Sequence, residues 1–237
     1  MGYLNSFLAV LLFIRQKVQD KQRRRVCDAG PHFPLMRRME IDLINNVLKT
    51  IQPKSCLEWG TGYSTLYFPN LLTKNASWLS IEHNCSWSEK IRSLNTNKFV
   101  TVSYFKADYE PWTDKNSDGA YDDLSSYVNA PDSKGKFDFI MIDGRARVAC
   151  LLKTIDIIND GGVVVLHDAF RTYYHEALTP FPFQEMFHFR DGKGNGRHQR
   201  GVWIGSLQRP IEMICNVKLH RAIWNLYNTI GDIVKII

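Results

Sequence analysis

The 237-residue chain lacks several features that would place it at once. Its five cysteines (Cys27, Cys56, Cys85, Cys150 and Cys215) are scattered, odd in number and without a C-x-x-C pair. That pattern excludes a disulfide framework and a zinc-type spacing, and fits free thiols in a reducing compartment. The apolar run at residues 3–14, YLNSFLAVLLFI, falls short of the roughly 20 residues that span a bilayer. No basic residues precede it, so it is not built as a signal-peptide core. No internal repeat is visible. The glycine pair near residue 60 lacks the Lys-Ser/Thr ending of a P-loop, and the neighbouring Glu58 argues against a phosphate cradle.

What is present is ordinary for one α/β domain with a sizeable core: 44% hydrophobic and 23% charged residues. The net charge of +6 gathers in two stretches, Arg15–Arg25 and Arg190–Arg200. Such patches meet phosphates, acidic substrates or a membrane surface, and solvated loops are the plainer reading. Residues 1–30 read as an apolar and then basic segment, with a cytoplasmic domain over 31–237. A membrane-surface helix over residues 1–25 is one expectation. A helix packed on the domain is the other. Met1-Gly2 with Ser6 matches the loose myristoylation pattern, against which stands the bulky Tyr3. The sequons at Asn75 and Asn84 read as chance spellings.

Gly30, Pro31 and Pro34 mark a linker, after which helical spacing predicts a helix from about Leu35 to Ile51. Short apolar runs then alternate with helical patterns. Strands are expected before Glu58, over Ser77–Glu82, Phe99–Phe105, Lys136–Asp143 and Val163–Leu166. Helices are expected through Leu66–Leu72, Trp87–Leu94 and Val148–Ile158. Continuous apolar strands separated by helices are the pattern of a buried parallel sheet. The polar segment 109–135 reads as an insertion beside the site. Strands near Glu185–Phe189 and Gly201–Leu207, joined by a turn with Gly192, Gly194 and Gly196, read as an antiparallel hairpin. A helix over Ala222–Ile237 packs outside the sheet.

The chain is organised around Ser55-Cys-Leu-Glu-Trp-Gly-Thr-Gly-Tyr-Ser-Thr65. A strand ends at Glu58, and Gly60 and Gly62 form a tight turn that a ligand can approach. Ser64 or Thr65 caps the following helix, whose first N–H groups face the bound molecule. Every strand end carries an acid: Glu58, Glu82, Asp108, Asp143 and Asp168. In an open α/β sheet, ligands bind beyond the carboxyl ends of the strands, near the reversal of strand order. Five acids on that rim imply a pocket that pairs carboxylates with hydroxyls, an amine or a cation. Glu82 lies 20 residues after Gly62, the separation at which an acid on the second strand reaches ribose hydroxyls.

This constellation resembles the class I S-adenosylmethionine-dependent methyltransferases over roughly residues 35–207. E-W-G-T-G stands for the nucleotide loop, S-I-E82 for the ribose acid and K-A-D108 for the adenine side. F-D-F-I-M-I-D143 and G-G-V-V-V-L-H-D168 stand for the strands bordering the methyl group. The resemblance implies a Rossmann-like, doubly wound, mostly parallel seven-stranded sheet closed by a C-terminal antiparallel hairpin. It implies that Glu58, Gly60, Thr61, Gly62, Ser64, Glu82 and Asp108 bind S-adenosylmethionine. A dinucleotide-binding loop would need a third glycine where Ser64 stands.

The place after the fourth strand reads Asp143-Gly-Arg-Ala-Arg147, unlike the Asn/Asp-Pro-Pro-Tyr/Phe of base-amine methyltransferases. Asp143 and Asp168 resemble the carboxylates that hold Mg²⁺ in catechol and macrolide-sugar O-methyltransferases. The chain departs from the catechol type at Ala146 and Ala169, where a Lys and an Asn are expected. His167 is a general-base candidate beside these acids, although adjacent strand residues point to opposite faces and a buried, hydrogen-bonded histidine is the commoner fate. Arg145 and Arg147 suit an acidic acceptor such as a uronate or phosphate. Tyr173, Tyr174 and His175 either line the acceptor pocket or pack. The expected activity is methyl transfer to an oxygen of a small molecule or sugar. RNA methylation and a non-catalytic, membrane-associated Rossmann-like binding protein are the alternatives.

Overall fold

A computed structural model describes residues 2–23, 32–113, 116, 118–189 and 200–233. Residues 24–31, which hold most of the linker and the end of the first basic stretch, and residues 190–199, which hold the turn with Gly192, Gly194 and Gly196 and nearly all of the second, lie outside the described residues.

Seven strands form one sheet: β1 (Ser55–Trp59), β2 (Ser77–Glu82), β3 (Val100–Tyr104), β4 (Phe137–Ile142), β5 (Ile158–His167), β6 (Phe183–Phe189) and β7 (Arg200–Ser206). Their order is β3-β2-β1-β4-β5-β7-β6. The pairs from β3 through β5 are parallel, and β7 runs antiparallel to both β5 and β6. Strand order reverses between β1 and β4, which opens a crevice at their carboxyl ends. Among the described residues eight α-helices accompany the sheet: α1 (Gly2–Arg23), α2 (Arg38–Ile51), α3 (Tyr63–Tyr67), α4 (Cys85–Leu94), α5 (Ser125–Val128), α6 (Arg147–Ile157), α7 (His175–Leu178) and α8 (Val217–Ile233).

Strand alternation divides the core into two layers. On one face Cys56, Phe139, Met141, Val163 and Val165 pack with Leu43, Val47 and Leu48 of α2. On the other, Leu57, Ile140, Ile142, Val164 and Leu166 pack with Cys150 and Leu151 of α6. Continuing the alternation along β5 turns His167 toward the α2 face, so its partner there is a helix residue.

The helix expected from near Ser64 through Leu71–Leu72 starts at Tyr63, and its second half is a 3-10 turn over Phe68–Leu71 with Pro69 in its first turn. Gly62 stands at the N-cap of α3, and Thr65 Oγ1 accepts its N–H at 3.0 Å, while the hydroxyls of both Ser64 and Thr65 donate to Glu58. Asn84 caps α4 by accepting from the Trp87 N–H at 2.9 Å. β5 begins five residues before the predicted Val163, because Gly161 takes φ +69 and the chain continues as strand through it. α8 lies against β6, with Phe187 and Trp224 ring centroids 5.9 Å apart, and against α1.

α1 packs on the body of the protein through Ala9, Phe13 and Gln16. Phe13 meets Tyr227 of α8 edge-on at 4.8 Å, and Gln16 donates to Asp42 of α2 at 2.8 Å. Among the described residues no helix is long and apolar enough to cross a membrane.

Candidate active site

A cavity of about 560 Å³ opens at the reversal of strand order. Its walls come from the turn after β1 (Gly60 to Ser64), the end of β2 with α4 (Glu82 to Trp87) and the turn after β4 (Asp143 to Arg147). Leu35 and Met36 close the remaining side.

The glycines after β1 act differently from each other. Gly60 holds φ +98, and a Cβ built on it would lie 2.3 Å from the Gly144 nitrogen. It serves the close approach of two backbones and lines the cavity as well. Gly62 has nothing nearer than Ser64 Oγ at 3.5 Å, so its missing side chain leaves room in the cavity. Thr61 donates its N–H to Glu82 Oε2 at 3.0 Å, and its carbonyl accepts from Trp87 Nε1 at 2.6 Å. Glu82 Oε1 accepts from the N–H groups of His83 and Asn84. The β2 acid therefore fixes the turn after β1 and stands in the cavity wall.

Glu58 lies wholly buried beneath the turn. Ser64, Thr65, Ser80 and the Trp78 indole all donate to its carboxylate, at 2.5 to 3.0 Å. Burial pushes its pKa up to about 7 despite those four donors. It shapes the loop from behind and does not line the cavity. Asp108 is a correction to the expected adenine contact. Its carboxylate accepts from Ser125 Oγ and from the N–H and Oγ of Ser126, capping α5. Those Ser126 bonds hold it below the usual carboxylate range, and it stands outside the cavity lining.

The turn after β4 carries the densest electrostatics. Asp143 Oδ1 lies 2.8 Å from His167 Nδ1, and His167 Nε2 lies 3.6 Å from Glu40 Oε1 on α2. Arg147 donates to the carbonyls of His167, Asp143 and Gly144, tying the ends of β4 and β5 together. Burial by itself would raise the pKa of Asp143, but the charge of His167 and their hydrogen bond hold it below the ordinary range. Burial would lower His167, and the flanking carboxylates instead lift it well above its ordinary value. Burial would likewise raise Glu40, which the nearby charge of His167 keeps low. His167 is thus an imidazolium held between two carboxylates, a correction to its role as a free base. Asp143, with a quarter of its side chain exposed, is the member of this trio that lines the cavity.

The expected Mg²⁺ pair does not fit this arrangement. Asp143 is already neutralised by His167 and by Arg147 Nη2 at 3.4 Å, and a divalent ion on it would face both positive charges. Asp168 follows in a left-handed conformation at φ +52. Among the described residues no group of three or more His, Cys, Asp or Glu side chains is arranged to hold a metal ion. Arg147 is committed to backbone carbonyls, whereas Arg145 lies over the Trp112 ring at 5.4 Å and lines the cavity. Tyr174 packs: it is buried and donates to Asp118 at 3.1 Å.

No family model matches the sequence, and no curated protein matches it. Solved structures do. The chain superposes with a TM-score of 0.54 on an O-methyltransferase from Bacillus cereus in complex with SAH, at 14% identity over 84% of this chain and 89% of that one. This is the α/β methyltransferase fold. A second example is an O-methyltransferase of tomaymycin synthesis from Streptomyces achromogenes, in complex with SAM. It gives a TM-score of 0.52 and 13% identity over 88% and 97% of the two chains. Spermidine synthase from Thermotoga maritima is also similar, with a TM-score of 0.51 and 16% identity over 84% and 74%. The mostly parallel seven-stranded sheet and the closing β6–β7 hairpin are those expected from the sequence.

Sequence reasoning missed Glu40, His83, Asn84, Trp87 and Trp112. Glu40 had a readable signal. It sits at helical spacing with Leu43, Ile44 and Val47, a carboxylate on the stripe that packs into the core. Asn84 was visible only as a sequon.

Proposed function

We propose that this chain transfers a methyl group from S-adenosylmethionine to an oxygen of a small molecule or sugar, without a divalent metal. The observation that carries this reading is one cavity, at the reversal of strand order, walled by the turn after β1, by Glu82 and by Asp143. Thr61, Gly62, Ser64 and Glu82 would hold the cofactor, with the open space at Gly62 and the carboxylate of Glu82 as its fixed features. When bound, its sulfonium supplies an activated methyl group.

The protein's own part is to place and relieve the acceptor. Methyl transfer needs the acceptor oxygen held in line and close, and that positioning supplies much of the rate. Asp143 Oδ2, the oxygen not turned to His167, would accept the acceptor hydroxyl's hydrogen bond. A carboxylate held below its usual pKa does not strip a neutral hydroxyl in advance. It takes the proton as positive charge grows on the oxygen during transfer. His167, gripped by Glu40, keeps Asp143 oriented and ionised. Arg145 is placed to meet an acidic acceptor such as a uronate or phosphate.

Calorimetric titration of S-adenosylmethionine into wild type and Glu82→Ala tests the cofactor site. Micromolar binding by the wild type and a loss of at least about tenfold in the variant are expected, since three backbone N–H groups lose their acceptor. Equal affinities would overturn the assignment. A methyl-transfer screen across sugars, phenols and RNA, with and without a chelator, then identifies the acceptor.

A further inference from the structure

α1 presents two opposite faces. Ala9, Phe13 and Gln16 are buried against α2 and α8. On a helix of about 3.6 residues per turn, Phe7, Val10, Leu11, Ile14 and Val18 share the other side. These five side chains are between 42% and 65% exposed. A globular surface rarely leaves so continuous an apolar stripe without a partner. Arg15 falls on one border of the stripe, while on the other the Lys17 ammonium lies over the Phe13 and Tyr227 rings at 5.8 and 5.2 Å. The sequence adds Lys21, Arg23, Arg24 and Arg25 immediately after it, opposed by Asp20 alone.

We propose that this face of α1 is a docking surface for an anionic lipid bilayer. The helix would lie in the membrane plane, with the stripe among the acyl chains and the cations at the headgroups. Charge selects this occupant. An apolar stripe bordered by Arg15 and followed by a basic cluster complements a negative surface. A second copy of the chain would bring the same cations against one another. The helix's other side is held by the Phe13–Tyr227 and Gln16–Asp42 contacts, so docking needs no unfolding. It would bring the enzyme domain to the membrane surface, where an acceptor anchored in lipid is met at high local concentration.

The full-length protein is sedimented with vesicles of phosphatidylcholine alone and of phosphatidylcholine with phosphatidylglycerol. Binding to the anionic vesicles and little to the neutral ones is expected, with loss of most binding at 0.5 M salt on the order expected from screening. Leu11→Gln with Ile14→Gln should weaken partitioning by about tenfold or more, because binding scales with the apolar area buried. Arg15→Gln should weaken it by about fivefold, the share of one cation near the surface. Both sites are solvent-exposed, so thermal melting should be unchanged; melting also separates lost docking from lost folding. Failure of the wild type to sediment with anionic vesicles would overturn the proposal. So would a dimer in light scattering that Leu11→Gln with Ile14→Gln dissolves, since the occupant would then be a second copy. Neither result bears on cofactor binding, which is read separately by calorimetry.

Discussion

Replacing Glu58 by Gln isolates what a carboxylate costs beneath the turn after β1. The residue is fully buried, and its pKa stands at about 7 against an ordinary 4.5. A group whose folded pKa is raised stabilises the fold below its unfolded pKa and loses that contribution as pH climbs through the folded value. The window is therefore about pH 4.5 to 7. A difference of 7 − 4.5 = 2.5 corresponds to about 3 kcal/mol at about 1.4 kcal/mol per pH unit. Gln keeps the shape. Its amide oxygen can take the place of Oε2, which accepts from Thr65, Trp78 and Ser80, while its NH₂ faces Ser64, whose hydroxyl can turn to accept. Urea unfolding of both proteins at pH 5 and pH 8 gives the difference directly, and the other titrating groups cancel between them. The two should be similar at pH 5, and the variant should be more stable by about 2–3 kcal/mol at pH 8. Parallel stabilities at the two pH values would refute the reasoning. A less stable variant at pH 8 would do so as well, because the four donors would then be holding a true carboxylate.

The two glycines should part company. Gly60→Ala, with its Cβ driven into the Gly144 backbone, should lose several kcal/mol or fail to fold, roughly the cost of overpacking plus left-handed strain. Gly62→Ala should melt within a few degrees of wild type yet bind S-adenosylmethionine more weakly by calorimetry. Asp143→Asn should abolish methyl transfer, measured by mass spectrometry of the product, while cofactor affinity stays within about threefold, since it carries only the acceptor's proton. Wild-type turnover should be indifferent to a chelator; a tenfold loss on chelation would restore the metal. His167→Ala leaves Glu40 buried without its cation and should cost about 3–5 kcal/mol near neutral pH. The loss should shrink toward acid pH as Glu40 protonates, which paired urea titrations would read.

Much of this fold was legible because buried parallel strands advertise themselves. Runs such as Phe137–Ile142 and Val163–Leu166 are too short and too apolar to be anything else between helical patterns. The turn at residues 59–65 was legible because its glycines and the spacing to Glu82 are local facts. What escaped was decided by tertiary partners. Asp108 looks like any other acid after a strand until Ser125 and Ser126 return, 17 and 18 residues later, to take both its oxygens. His167 looks like a base until α2, more than a hundred residues earlier, brings Glu40 against it. The residue count could not assign Gly60 to Gly144 rather than to a ligand, since that contact joins segments 84 positions apart, between two adjacent parallel strands.

The meeting of Gly60 with Gly144 also limits how this rim could be remodelled. With no side chain between them, the two turns behave as a single hinge-free lip, and lengthening or re-aiming one would displace the other. New specificities would be easier to install on the opposite bank, where the exposed Leu35 can be exchanged without disturbing either turn.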